Sequence, residues 1–193
     1  GQSAEGSMLV KFSPAGALIW SRVVKGPFFY NVKVDRDGYI YVAGRVAPGF
    51  LTTPGAFQAT TSRACGLVGK LKPDASGWVW CSYVGTGNLM RDMTIDDEGN
   101  VYGVLDYYAE SKEVLPSGWF KNAFCKTPHT GTMNHFGHCD AGIIKISNAG
   151  DVIWATWIGG TNGNDMIASV AVGKDHCPVI MLCTASWDMP TTP

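Results

Sequence analysis

Short runs in which apolar and polar residues alternate are separated along the chain by turns carrying Gly, Asp and Pro, and no stretch holds the 3.6-residue period of a helix. The runs recur in a fixed order. Strands at 8–12, 67–71 and 143–146 each lead through a turn to a tryptophan-bearing strand, at 18–24, 78–84 and 152–158, rich in the β-branched and aromatic residues of half-buried strands. A third alternating strand follows at 31–35, 92–96 and 168–172. The turns Asp35-Arg36-Asp37-Gly38 and Asp96-Asp97-Glu98-Gly99 supply the side-chain acceptor and the positive φ that a hairpin needs, and the chain then runs back at 39–44 and 100–105.

The pattern predicts an all-β chain of twelve strands in three copies, with repeats at about 8–64, 65–139 (with an insertion at 106–139) and 140–193 of a single unit spanning 1–193. Four-stranded antiparallel units at this spacing point to the blades of a β-propeller. Framed on the strand at 31–35, two blades are complete and one is split, its last two strands opening the chain and its first two closing it at 179–183. Propellers close with about four to eight blades. The expectation is therefore an arc of a larger propeller, or copies of the chain completing each other's blades. The terminal Met189-Pro190-Thr191-Thr192-Pro193 echoes Leu51-Thr52-Thr53-Pro54, which runs on into Gly55-Ala56-Phe57-Gln58, so more sequence is expected beyond Pro193.

Composition narrows the function classes. Of the 193 residues, 46% are hydrophobic and 16% charged, with 24 glycines and a net charge of −1. With no basic surplus, nucleic-acid binding is not the expected role. The longest apolar run, 178–183, is too short to span a membrane. Six cysteines, an even number, are compatible with disulfides in an oxidising compartment, and no Cys-x-x-Cys pair points to redox or zinc-ribbon chemistry.

The wording of the repeat resembles the bacterial SBBP-type β-propeller repeat family. The segment Lys11 to Trp20, Trp157-Ile158-Gly159-Gly160 with Asn164-Asp165, the run Val34-Asp35 to Gly44, and Thr52-Thr53-Pro54-Gly55-Ala56-Phe57-Gln58 are similar to its successive phrases. The 106–139 insertion and the third hairpin, where Asp175-His176-Cys177-Pro178 replaces the Asp-Gly turn, depart from it. The resemblance implies a propeller fold in an exported protein, periplasmic, extracellular or at the cell surface, and it implies no catalytic residue.

The insertion concentrates the candidate chemistry. Cys125, His129, His135, His138 and Cys139 offer the ligands that zinc or copper selects, but their spacing matches no standard finger. A Cys125–Cys139 disulfide with solvated histidines is the plainer reading. Trp119, Phe120, Phe124 and Phe136 form either a contact patch or a small core beneath the loop, and Tyr107, Tyr108 and Trp187 also lie outside the repeat, as ligand candidates. Calcium at the acidic turns (Asp35, Asp37, Asp96, Asp97, Glu98) competes with plain hairpin capping, and Asp165 is read first as a turn residue. The tryptophans at 20, 78, 80, 154 and 157 are read as packing between blades.

Nucleophile-elbow, zincin, phosphate-loop and dinucleotide-binding motifs are all missing from the sequence. The expected function is a non-enzymatic scaffold and protein-interaction module, joined to further blades or to a second copy. The alternatives are a metal-dependent hydrolase or lyase built on the insertion's histidines, and a carbohydrate-binding propeller.

Overall fold

The computed structural model describes residues 6–85, 89–108, 115–121, 123–124, 139–161 and 163–191. It is all-β. The strands are β1 (Gly6–Phe12), β2 (Leu18–Lys25), β3 (Phe28–Val34), β4 (Ile40–Val46), β5 (Cys65–Leu71), β6 (Trp78–Val84), β7 (Leu89–Ile95), β8 (Val101–Tyr108), β9 (Cys139–Ile146), β10 (Val152–Ile158), β11 (Asp165–Val172) and β12 (Pro178–Thr184). They form two four-stranded antiparallel sheets, β3-β4-β5-β6 and β7-β8-β9-β10, flanked by the two-stranded pairs β1-β2 and β11-β12.

Register makes the copies superimposable. In each first hairpin one residue is passed over at the same place: Tyr30 between Phe29 and Asn31, Arg91 between Met90 and Asp92, Ala168 between Ile167 and Ser169. In each outer pair the residue before the repeated tryptophan is extra, namely Ile19, Val79 and Ile153. A bulge turns its extra residue out of the ladder and increases the local twist. That is why Tyr30, Ile19, Val79 and Ile153 are exposed although their strands are apolar.

The sheets pack face to face in chain order. Strand β7 lies across β3, β4 and β5, and β11 lies across β7, β8 and β9. The main core between the two full sheets joins Tyr41, Ala43, Val68 and Trp80 to Met90, Met93, Ile144 and Trp157. A second core joins Val104 and Ile143 to Ile167 and Val170. Polar clips tie each first strand to the next: the Asn31 amide donates to the Arg91 carbonyl (2.7 Å), and the Asp92 carboxylate accepts from the Ser169 hydroxyl (2.7 Å) and the Val170 N–H (3.0 Å).

The outermost edge of the first sheet is covered by the 47–64 loop. There Gln58 exchanges side-chain hydrogen bonds with Gly85, its carbonyl accepts from the Tyr83 N–H, and Thr53 brackets Cys81. A covered edge cannot recruit another strand. The second sheet has the short 3-10 turn Ser117–Trp119 in the corresponding connection, with the Trp119 ring edge-on to Phe57 and Phe120 beside Trp157. Among the described residues no helix is long and apolar enough to cross a membrane.

Met93 is fully buried between two sheets, whereas Leu51 stands in solvent on the loop. Urea denaturation of Met93→Ala is expected to show a loss of about 2–5 kcal/mol, and Leu51→Ala a change within about 0.5 kcal/mol.

Candidate functional site

The richest polar assembly sits at the end of the molecule that carries the hairpin turns, where one sheet meets the next. In the first sheet, Asp35 caps its own turn, one oxygen accepting from the N–H groups of Asp37 (3.1 Å) and Tyr39 (2.9 Å). Its other oxygen lies 3.1 Å from the Tyr41 hydroxyl and 3.5 Å from the Lys70 ammonium. Lys70 is buried near the end of β5, its Nζ over the rings of Tyr39 and Tyr41 at 4.3 and 4.9 Å.

The next sheet completes this cage. Asn148, from the β9–β10 turn, accepts from Lys70 Nζ at 2.6 Å through its side-chain oxygen, which also lies 3.0 Å from the Tyr41 hydroxyl, and its carbonyl accepts from Trp80 Nε1 at 2.9 Å. Gly99 makes the approach possible. Its φ is +79°, and a Cβ there would stand 2.8 Å from the Tyr41 hydroxyl and 2.9 Å from the Asn148 amide.

The second sheet repeats the arrangement with Asp96, Tyr102 and Lys145, whose Nζ lies 4.8 Å from the centre of the Tyr102 ring. Asp96 accepts from the N–H groups of Glu98 and Asn100 on one oxygen, and on the other from the Asn100 amide (2.9 Å) and the Tyr102 hydroxyl (3.3 Å). Here the plug from the next sheet is His176. Its Nδ1 is 3.2 Å from Asp96, its Nε2 is 3.6 Å from Asp97, and its carbonyl accepts from Tyr102 at 3.0 Å. His176 occupies the hairpin position that Gly38 and Gly99 fill in the other two copies, and its φ is +57°. A non-glycine residue is strained in that backbone, so the imidazole's two carboxylate contacts offset a local cost.

The electrostatics follow from these contacts. The hydrogen bond to Asp96, opposed by partial desolvation and reinforced by the charges of Asp97 and Glu98, raises the His176 pKa above 6.5. Burial works against ionised Asp96, but the bonds from Asn100, His176 and Glu98 outweigh it and hold the carboxyl below its ordinary value. Tyr41 is pushed well above the usual phenol range, first by burial and then by the Asp35 charge. Burial also raises the Cys65 and Cys81 thiols, so they are not activated nucleophiles.

Asp96, Asp97 and His176 bring three metal-ligand atoms within 4.8 Å of one another. Ligation would have to displace the hydrogen bonds that Asp96 accepts, so the geometry is that of a clasp between sheets. Asp35 and Asp96 each commit one oxygen to capping their own turn, and the other to the cage. Beside the clasp lies a depression of about 540 Å³ lined by Arg36, Ile95, Asp96, Asp97, Val172 and Lys174. Its charges of both signs suit polar contacts rather than a particular reaction.

Cys125, His129, His135, Phe136 and His138 lie outside the described residues, and with them the insertion's metal site and the Cys125–Cys139 disulfide. Cys139 opens β9 and pairs with Tyr108, while Tyr107 pairs with Asp140. Of the two readings of Trp119 and Phe120, the structure has the core one: both are buried, Trp119 against Phe57 and Phe120 against Trp157, so they offer no contact surface. Phe124 and Trp187 are exposed, and Phe124 borders a shallow depression with Lys121, Ile153 and Trp154. Asp165, read from the sequence as a turn residue, instead opens β11, where it pairs with Thr184 and its buried side chain accepts from the Gly160 N–H and the Ser186 hydroxyl. Cys65, Cys81, Cys177 and Cys183 are free thiols. No family model matches the chain, and no curated protein matches it.

Two outcomes are expected. Asp35→Ala leaves the buried Lys70 without its carboxylate and is expected to cost about 3–5 kcal/mol by urea denaturation, whereas Lys70→Met removes cation and need together and costs far less. Because the folded-state pKa of His176 is raised, its stabilisation is fully present below pH 6.5 and is lost as pH rises through the folded value. In NMR titration His176 should therefore protonate above 6.5, and His176→Gly should gain in melting temperature relative to wild type as pH is raised through that range.

Proposed function

We propose that the chain is an arc of a β-propeller of the SBBP-repeat kind, working as a non-enzymatic scaffold that offers its loops to a protein partner. The observation that carries this reading is the succession of sheets, in which the first strand of each unit (β7, then β11) packs across the first three strands of the unit before it. Such a succession, continued, gives blades around an axis.

A scaffold role is supported by how the titratable groups are used. Asp35, Lys70, Tyr41 and Asn148 satisfy one another, as do Asp96, Asn100, Tyr102 and His176, with no activated nucleophile beside either group among the described residues. The side chains left for recognition outside the repeat are Phe124, beside Ile153 and Trp154, and Trp187, both exposed. Export rests on the repeat resemblance alone.

Negative-stain images of the native protein are expected to show a ring or an arc of blades; a filled, axis-free particle would sink the propeller reading. Elemental analysis is expected to find less than one equivalent of zinc, copper, iron, manganese or calcium. Stoichiometric metal would instead favour a metal-dependent enzyme built on the insertion.

A further inference from the structure

Among the described residues the carboxylates of Asp96, Asp106 and Asp165 are buried. The charges of the first two are answered within the protein. Asp96 has His176, and Asp106 has Arg91 on one oxygen and the Ile167 N–H on the other. Asp165 is different. It is 0% exposed, and no Lys, Arg or His among the described residues pairs with it. Its Oδ2 accepts from the Gly160 N–H (2.7 Å) and the Ser186 hydroxyl (3.0 Å), but its Oδ1 is buried with no hydrogen-bond partner. A carboxylate taken out of water destabilises the fold unless its oxygens are paired, hydrogen-bonded or bound to a metal.

The surroundings of that carboxylate are built from oxygen. The residues leading into β11 close tightly on those leaving β12: a Cβ at Gly160 would stand 2.3 Å from Ser186 Cβ, and one at Gly163 2.6 Å from the Ala185 carbonyl oxygen. Ser186 Oγ and Asp188 Oδ1 lie 2.8 and 2.5 Å from that same Gly160 position, so both are near one point beside Asp165. The Asp188 carboxylate also accepts from the Thr161 N–H, at 2.9 and 3.1 Å, and from its hydroxyl. Ser186 is buried and Asp188 exposed, so the group reaches from the interior to solvent.

Stacking alone does not demand these carboxylates. In the first unit Pro27 stands at the place of Asp165, and the ring of Phe50, an apolar group, lies 3.3 Å from where a Gly26 Cβ would be. The third unit makes the corresponding junction with two acids and a hydroxyl.

We propose that Asp165 Oδ1 binds a calcium ion, with Asp188 and Ser186 as its other side-chain ligands. Carboxylate and hydroxyl oxygens without sulfur or imidazole suit a hard cation and not zinc or copper. Calcium holds oxygens at about 2.3–2.6 Å in flexible geometry, so its ligands stand up to about 5 Å apart, the scale of this cluster. Two carboxylates are few for such a site. That places its Kd at the weak, extracellular end, about 10⁻⁴–10⁻³ M, and protein isolated without added calcium then holds less than one equivalent. The site is independent of the scaffold reading and of the hairpin-turn cages.

The test is urea denaturation of the chelator-treated chain with calcium chloride at about 10 mM against sodium chloride of equal ionic strength. Calcium should raise the folded-to-unfolded ratio roughly ten- to a hundredfold. Asp165→Asn, which keeps the size and one acceptor oxygen but removes the charge, should abolish the rise. Calorimetric titration with calcium chloride should show affinity weakened about tenfold in Asp188→Asn and unchanged in Asp37→Asn, on an exposed hairpin turn. No rise with calcium overturns the proposal and leaves water as the partner of Oδ1. A rise that survives Asp165→Asn overturns it too, because the ion then sits elsewhere. Should Asp165→Asn fail to fold, Asp188→Asn decides: wild-type calcium affinity in that variant overturns the site.

Discussion

A four-stranded sheet with apolar side chains on both faces cannot stand alone in water, and the organisation of this chain follows from that constraint. Each fully buried valine, leucine or methionine is worth about 1.5–3 kcal/mol, and a sheet collects that stabilisation only where another sheet covers it. Between the two complete sheets the cover is full, as Tyr41, Met90, Met93, Ile144 and Trp157 record. At the flanks it is missing. Met93 and Tyr41 are sealed between the two full sheets, whereas Val32 and Val179, at the matching places in the flanking units, are exposed.

The polar groups decide how the sheets stack. Apolar faces alone would slide, since burial is non-directional. The cages around Lys70 and Asp96 close only when Asn148 or His176 arrives from the neighbouring sheet, and a misplaced neighbour would cost Lys70 its 2.6 Å hydrogen bond and Asp96 its imidazole partner. The Asn31 and Asp92 clips act in the same way along the first strands. The third copy has Gly173 and Val179 where the others have aspartate and tyrosine, so it holds no such cage of its own and contributes His176 and Ser169 to the polar contacts of the sheet before it.

The strand order, the twelve-strand tally and the hairpin turns were legible in the sequence because they are local: alternation, Asp-Gly turns and the repeated tryptophans announce them within a few residues. The even division into four-stranded sheets with split ends was legible from the frame of the repeat. The inter-sheet cages were not. The recurring lysine at 11, 70 and 145 was a visible signal, but its partners Asp35 and Asn148 come from other strands and another sheet. His176 stood out as the residue replacing a turn glycine, while its pairing with Asp96 and Asp97 spans 80 residues and is set by stacking. Trp119 and Phe120 fit surface and core equally well on sequence, since an insertion has no repeat to say which way it faces; Leu115 and Phe57 bury them.

The claim that covers the most of this structure is that the polar cages set how one sheet stacks on the next, and a double-mutant cycle between Lys70 and Asn148, read by urea denaturation, tests it directly. The account predicts that the costs of Lys70→Met and Asn148→Ala are coupled by about 0.5–3 kcal/mol. Costs that simply add would contradict it.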